Sequence, residues 1–302
     1  MGLDLIEFGW SVAKAGYFWK NTRYVGQPEP PPPLPEDAPE REQQFHRLRE
    51  LESRPKTFLT EVIPFGAARQ AKIIHPLHDF SGTLHREFGE TELTPEGVQS
   101  FANRFGELGG DITRTIPVEA TKQGHRLGAG EDIGRWLAEM SAVADALGLW
   151  DAVREHDQQT LSQRISWHDG YVVANWDDRR SVVVASTKHR PDIFCQLKVG
   201  DLIEPGTLAV QQIVNARLWE KVRVAPKLVW NMDSHELEQQ LVPVGLIGAI
   251  WLDFAMAIDG KTEYRRCIRC GKAFPLAAKG KRRKFCSSRC RVAHFREKAS
   301  QD

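Results

Sequence analysis

Four cysteines carry the plainest chemistry in the sequence: Cys267-Ile268-Arg269-Cys270, fifteen residues, then Cys286-Ser287-Ser288-Arg289-Cys290. Each pair can chelate, and together the four thiolates make the closed tetrahedral shell that structural zinc takes. The shell leaves no position for water, so we expect one structural Zn2+ and no catalytic metal. The rival use of a C-x-x-C pair is redox exchange, which belongs in a thioredoxin-like βαβ setting that the flanking sequence does not supply. The fifth cysteine, Cys195, follows Ile193 and Phe194 and reads as a small buried hydrophobe.

Each pair needs its own positioning element. Gly271 follows the first pair, and a glycine there lets the backbone turn so that N–H groups point at sulfur. The second pair is four apart, which puts both sulfurs on one side of the first turn of a helix. Between the pairs, Lys281-Arg282-Arg283-Lys284 is expected at or near a hairpin tip. Knuckle, hairpin and helix start describe a treble-clef-like zinc module over residues 261–302. The metal would replace a core that so basic a segment cannot build. His294 lies one turn beyond Cys290 and reads as a surface histidine, a substitute ligand or a supporting contact being the alternative. Val292 and Phe295 are expected to pack back on the protein.

Charge sets this module apart. Residues 261–298 hold 14 Lys and Arg against two acids, a local charge of +12. The other 264 residues hold 27 bases and 38 acids, or −11. A basic segment on an acidic body points to a polyanionic partner. The plainer alternative is that the segment docks on its own body. The expected phosphate or base contacts are Arg282, Arg283, Lys284, Arg289, Arg291 and Arg296.

The rest of the sequence reads as four regions: an aromatic-rich segment over 1–26, a proline-rich linker over 27–39, a body over 40–260, and the module. Seven prolines between 28 and 39 fix an extended spacer, whose P-x-x-P spacing would also suit an SH3-like partner. A solvated helix is expected over 40–54 and a strand over 58–63. Thr94, Pro95 and Gly106 bound a helix whose apolar face is Val98, Phe101, Ala102 and Phe105. Further helices are expected over 131–155, 207–222 and 244–258, with strands over 171–174 and 181–185 joined by a turn at 176–180. The glycine-rich stretch 124–130 reads as a loop, and His75-Pro76-Leu77-His78-Asp79 as a turn rather than a metal site. Trp136, Trp167, Trp176, Trp219 and Trp251 are assigned to the core. The fold class is α+β: a mostly helical body with a small antiparallel sheet, plus the C-terminal treble-clef-like zinc finger.

With 41% hydrophobic and 27% charged residues, the composition is that of a globular protein. An odd five cysteines exclude a secreted disulfide scaffold. The longest apolar run, 242–258, contains Pro243 and Asp253 and is shorter than the roughly 20 residues a bilayer needs. The N-terminal residues lack the basic start and apolar core of an export signal. A cytoplasmic protein with no membrane partner is expected. There is no phosphate loop, no H-E-x-x-H and no G-x-S-x-G.

Residues Leu246 to Leu252, Tyr264-Arg265-Arg266-Cys267, Phe274, Lys284-Phe285-Cys286-Ser287 and Cys290 occur in the order helix, first pair, aromatic, basic segment, second pair. Over about residues 244–298 the sequence resembles the bacterial CGNR-type zinc-finger proteins, whose paired domain is called ABATE. After the last cysteine that family continues Gly-Asn-Arg, whereas this chain reads Arg291-Val292-Ala293. The resemblance implies a DNA-binding transcription regulator with a C-terminal zinc finger. We therefore expect a non-enzymatic nucleic-acid-binding regulator. The alternatives are an adaptor whose module docks an acidic protein and, third, an enzyme whose site would use His75, His78 or His168 of the body.

Overall fold

A computed structural model describes residues 9–35, 38–61, 71–80, 83–121, 124–176, 181–220, 223–231, 236–259, 263–269, 273–276, 284–285 and 288–299. In chain order the elements are β1 (Trp10–Ala13), β2 (Tyr17–Thr22), α1 (Glu40–Ser53), β3 (Lys56–Glu61), β4 (Ala71–Ile74), α2 (Pro76–Asp79), α3 (Leu84–Gly89) and α4 (Pro95–Phe105). There follow β5 (Thr113–Thr121), β6 (Gly124–Asp132), α5 (Ile133–Glu155), α6 (Gln158–Arg164), β7 (Ile165–His168), β8 (Tyr171–Asn175) and β9 (Ser181–Ser186). The last are α7 (Pro191–Phe194), α8 (Ile203–Trp219), β10 (Val224–Asn231), β11 (Glu236–Pro243), α9 (Leu246–Ile258), β12 (Glu263–Arg266), β13 (Ala273–Leu276) and α10 (Ser288–Ala299). The class is mixed helix and sheet, every sheet small and antiparallel. Sheet content exceeds the single sheet expected. Among the described residues no helix is long and apolar enough to cross a membrane.

The chain divides into two compact units, one of Gly9–Ile74 with Glu92–Glu139, the other of His75–Thr91 with the chain from Met140 on. In the first, a four-stranded sheet runs β2-β3-β6-β5, and β1 pairs with β4. Helix α4 has the ends its sequence dictates. The Thr94 hydroxyl accepts from the Gly97 N–H at 3.1 Å, Pro95 opens the first turn, and Gly106 closes the helix at φ +92°. A Cβ on Gly106 would also lie 2.8 Å from the Ser11 carbonyl, so both backbone angle and space require glycine. Val98, Phe101, Ala102 and Phe105 are all buried, each large one contributing about 1.5–3 kcal/mol. Helix α1, as expected, buries only Ser53 among its residues. The proline-rich stretch has no helix or strand over its described residues, and the Gln27 amide anchors its start by donating to the carbonyls of Glu52 (2.9 Å) and Arg54 (2.6 Å).

One expectation fails here. Residues 124–130 are strand β6, paired along its length with β5. The glycines are there for packing: a Cβ at Gly130 would crowd the Ile116 side chain and one at Gly128 that of Val118. Helix α5 starts at Ile133 rather than 131, because Glu131 still belongs to the β5–β6 ladder.

In the second unit, β7-β8-β9 form a meander against α8. Strand β7 had not been foreseen. Helix α8 begins at Ile203, four residues early, where the Asp201 carboxylate accepts from the N–H groups of Ile203 and Glu204, both at 3.1 Å. Residues 177–180 of the expected turn lie outside the described residues. Helix α9 packs on α3 and α8, and its first nine residues, Leu246 to Phe254, are all buried. Trp136 and Trp251 are core residues, each in its own unit, whereas Trp167 and Trp176 are half-buried. Trp219 is 82% exposed, at the last residue of α8. Cys195 is exposed, with its thiol donating to the Asp192 carbonyl at 3.2 Å.

Candidate metal centre and basic face

Strands β12 and β13 pair from Glu263 with Leu276 to Arg266 with Ala273. Cys267, Ile268 and Arg269 follow β12 directly, and residues 270–272 lie outside the described residues. Cys267 is 2% exposed. Ile268 and Arg269 form the turn proper, and the Ile268 N–H donates to the Lys284 carbonyl at 3.2 Å. This long-range bond joins the residue after Cys267 to Lys284, two residues ahead of Cys286 in sequence. Helix α10 then begins at Ser288, with Cys290 half-buried in its first turn. Phe285 fixes the helix to the preceding segment, its ring 5.2 Å from that of His294 and 6.1 Å from that of Phe295.

Lys284, the last residue of the expected hairpin tip, thus lies beside the turn at Ile268. Cys267 is buried directly after β12, and Cys290 is half-buried in the first turn of α10. Cys270 and Cys286 lie outside the described residues. Among the described residues no cluster of three or more His, Cys, Asp or Glu side chains could hold a metal. The donor chemistry nevertheless fits zinc: a buried thiol at a hairpin turn and a second at a helix start, in a segment with 14 bases.

Of the expected contacts, Lys284, Arg291 and Arg296 are exposed, and Arg289 lies in the first turn of α10. Arg282 and Arg283 lie outside the described residues. Val292 and Phe295 do not pack back on the protein; they are 45% and 59% exposed. His294 is half-buried, its ring engaged by Phe285 and Phe295.

Two buried carboxylates were missed as sites. In the second unit, Asp253 of α9 accepts from the backbone N–H of His85 at 3.1 Å and from its ring Nδ1 at 2.6 Å, and both side chains are inaccessible. The His85 ring also stacks on Phe254 at 5.0 Å. Asp253 interrupting an apolar run was the only sequence signal. In the first unit, Glu131 accepts from the N–H groups of Leu108 (2.9 Å) and Gly109 (2.5 Å), the Trp136 indole (2.9 Å) and the Thr113 hydroxyl (3.3 Å). Burial pushes its carboxyl up to about 7, against these donors, which hold it down. Both groups organise backbone and are closed to solvent.

A cavity of about 700 Å3 in the second unit is lined by Trp176, Val182, Ile213, Ala216 and Arg217 among others, a size that suits a small ligand. His75, His78 and His168 are not among its described lining residues. His75 instead opens α2, with its N–H donated to Asp79 at 3.1 Å, and His168 stacks on Tyr171 at 4.6 Å. Comparison of the chain with family models, with curated proteins and with solved structures finds no match.

Proposed function

We propose that residues 261–302 form a zinc-held, treble-clef-like module that grips nucleic acid, and that the protein is a non-enzymatic regulator of the CGNR type. The observation that supports this reading is the Ile268-to-Lys284 backbone bond, which joins the residue after Cys267 to the last of the four bases at 281–284. Cys267, Cys270, Cys286 and Cys290 would hold Zn2+, whose role is to fix turn and helix to each other. The bases then stand on a rigid frame: Lys284 beside the turn, Arg289, Arg291 and Arg296 on α10, with Arg282 and Arg283 just ahead of Lys284 in sequence. Fixed cations release counterions from a phosphate backbone at little entropic cost, which favours DNA or RNA over a neutral surface.

The test is an anisotropy titration of the full chain against labelled DNA at several salt concentrations. With about five phosphates neutralised on a duplex, log K falls with log[salt] at a slope near −4.5. Absence of any salt-sensitive binding to DNA or RNA removes the reading. The exposed Val292 and Phe295 favour a second one, an adaptor docking an acidic protein. It requires a complex that survives nuclease treatment.

A further inference from the structure

Arg291, Val292, Phe295 and Arg296 follow the spacing i, i+1, i+4, i+5 and so share one side of α10. All four are exposed, whereas Cys290, Ala293 and His294 on the other side are half-buried. The outward face is therefore an aromatic and a branched aliphatic side chain between two guanidinium groups. Phe295 is braced as well as exposed, with its ring edge-to-face with His294 at 5.7 Å and 6.1 Å from Phe285. A held aromatic ring loses little freedom when a flat partner lands on it.

A face built only to grip phosphates has no use for Phe295. In a duplex the faces of the bases are covered by their neighbours, and the exposed backbone offers an aromatic ring nothing to stack on. A single strand exposes base faces and phosphates together, which is what an aromatic ring between two arginines can engage. A charge of +12 over residues 261–298 excludes a basic or apolar partner as the first choice.

We infer that the Arg291–Val292–Phe295–Arg296 face of α10 binds single-stranded nucleic acid, with Phe295 stacking on an unpaired base and the two arginines on the flanking phosphates. This rests on the nucleic-acid reading of the module and makes it specific for unpaired bases.

The test uses the full zinc-loaded chain and three labelled probes at one salt concentration: an oligothymidylate of about a dozen nucleotides, its duplex, and an abasic strand with the same number of phosphates. The oligothymidylate is expected to bind about tenfold or more tightly than the abasic strand, the effect of stacking one base, and more tightly than the duplex. Phe295→Ala should lower oligothymidylate affinity to the abasic level, while Phe295→Trp retains it; retained zinc in both shows that the module is intact. Arg291→Gln should instead reduce the salt slope by about 0.7. Equal binding of the oligothymidylate and abasic strands, or tighter binding of the duplex, overturns the stacking face and leaves a phosphate grip standing. Binding to none of the three probes overturns the nucleic-acid reading itself and gives the face to a protein partner.

Discussion

Helix α9 and the basic segment that follows it differ in what they bury. From Leu246 to Phe254 every residue of α9 is buried, and its one carboxylate is met by His85. Of the residues in 263–299 whose burial is described, only Cys267 is buried. One region derives its order from the removal of apolar surface from water. The other has 14 bases, an exposed Phe295 and an exposed Val292, and needs a different source of order. The residue it hides is a thiol, which is what a metal-held fold requires. If the proposed zinc site holds the module, burial and ligation are alternative ways to fix a chain, and the second leaves the surface free to carry charge.

The comparison breaks first at Cys267. If the proposed zinc holds the module, Cys267→Ser or chelation should remove most of the roughly 10 kcal/mol that a structural zinc site contributes. Limited trypsin digestion followed by mass spectrometry should then show cleavage through residues 261–299 while the segment containing α9 stays protected. Unchanged protection of the module would mean that burial or ion pairing holds it.

The next effect belongs to α9. Asp253→Ala leaves two buried donors of His85 without their acceptor and should cost about 4 kcal/mol in denaturant unfolding. On the proposed reading, in which the metal site and the core are separate sources of stability, zinc content should stay the same. Loss of zinc in this variant would show that the module depends on the core.

Glu131 adds a pH test of burial in the other unit. Its folded pKa of about 7 lies above the ordinary 4.5, so between those values the folded chain binds more protons than the unfolded one. Stability is then present in full below about pH 4.5 and is lost as pH rises to about 7, by about 3 kcal/mol. Glu131→Gln should flatten this slope, read as the difference in unfolding free energy between pH 5 and pH 8. Identical pH profiles for the two proteins would contradict it. The smallest effect is local: Thr94→Ala should cost about 1 kcal/mol through the lost cap of α4, seen as a lower denaturation midpoint.

What the sequence disclosed follows the range of the interaction involved. Helix α4 was legible at both ends because Thr94, Pro95 and Gly106 act on their own neighbours. The apolar α9 and the strands β8 and β9 were legible from composition over a few residues. Strand β6 was hidden because its glycines make room for Ile116 and Val118 of β5, which local pattern does not register. His85 as the partner of Asp253 is separated from it by 168 residues. Periodicity alone placed Trp219 inside, but it is the last residue of α8 and is exposed. Phe295 and Val292 were placed inward as apolar residues should be, and their exposure is the feature of the module that charge and spacing did not foretell.

The most direct test of ligation is metal analysis of the purified full chain combined with titration of its five thiols. The account requires one zinc per chain, with Cys195 reacting at once and the other four thiols only after chelation. A chain that carries no metal and exposes all its thiols together would contradict it.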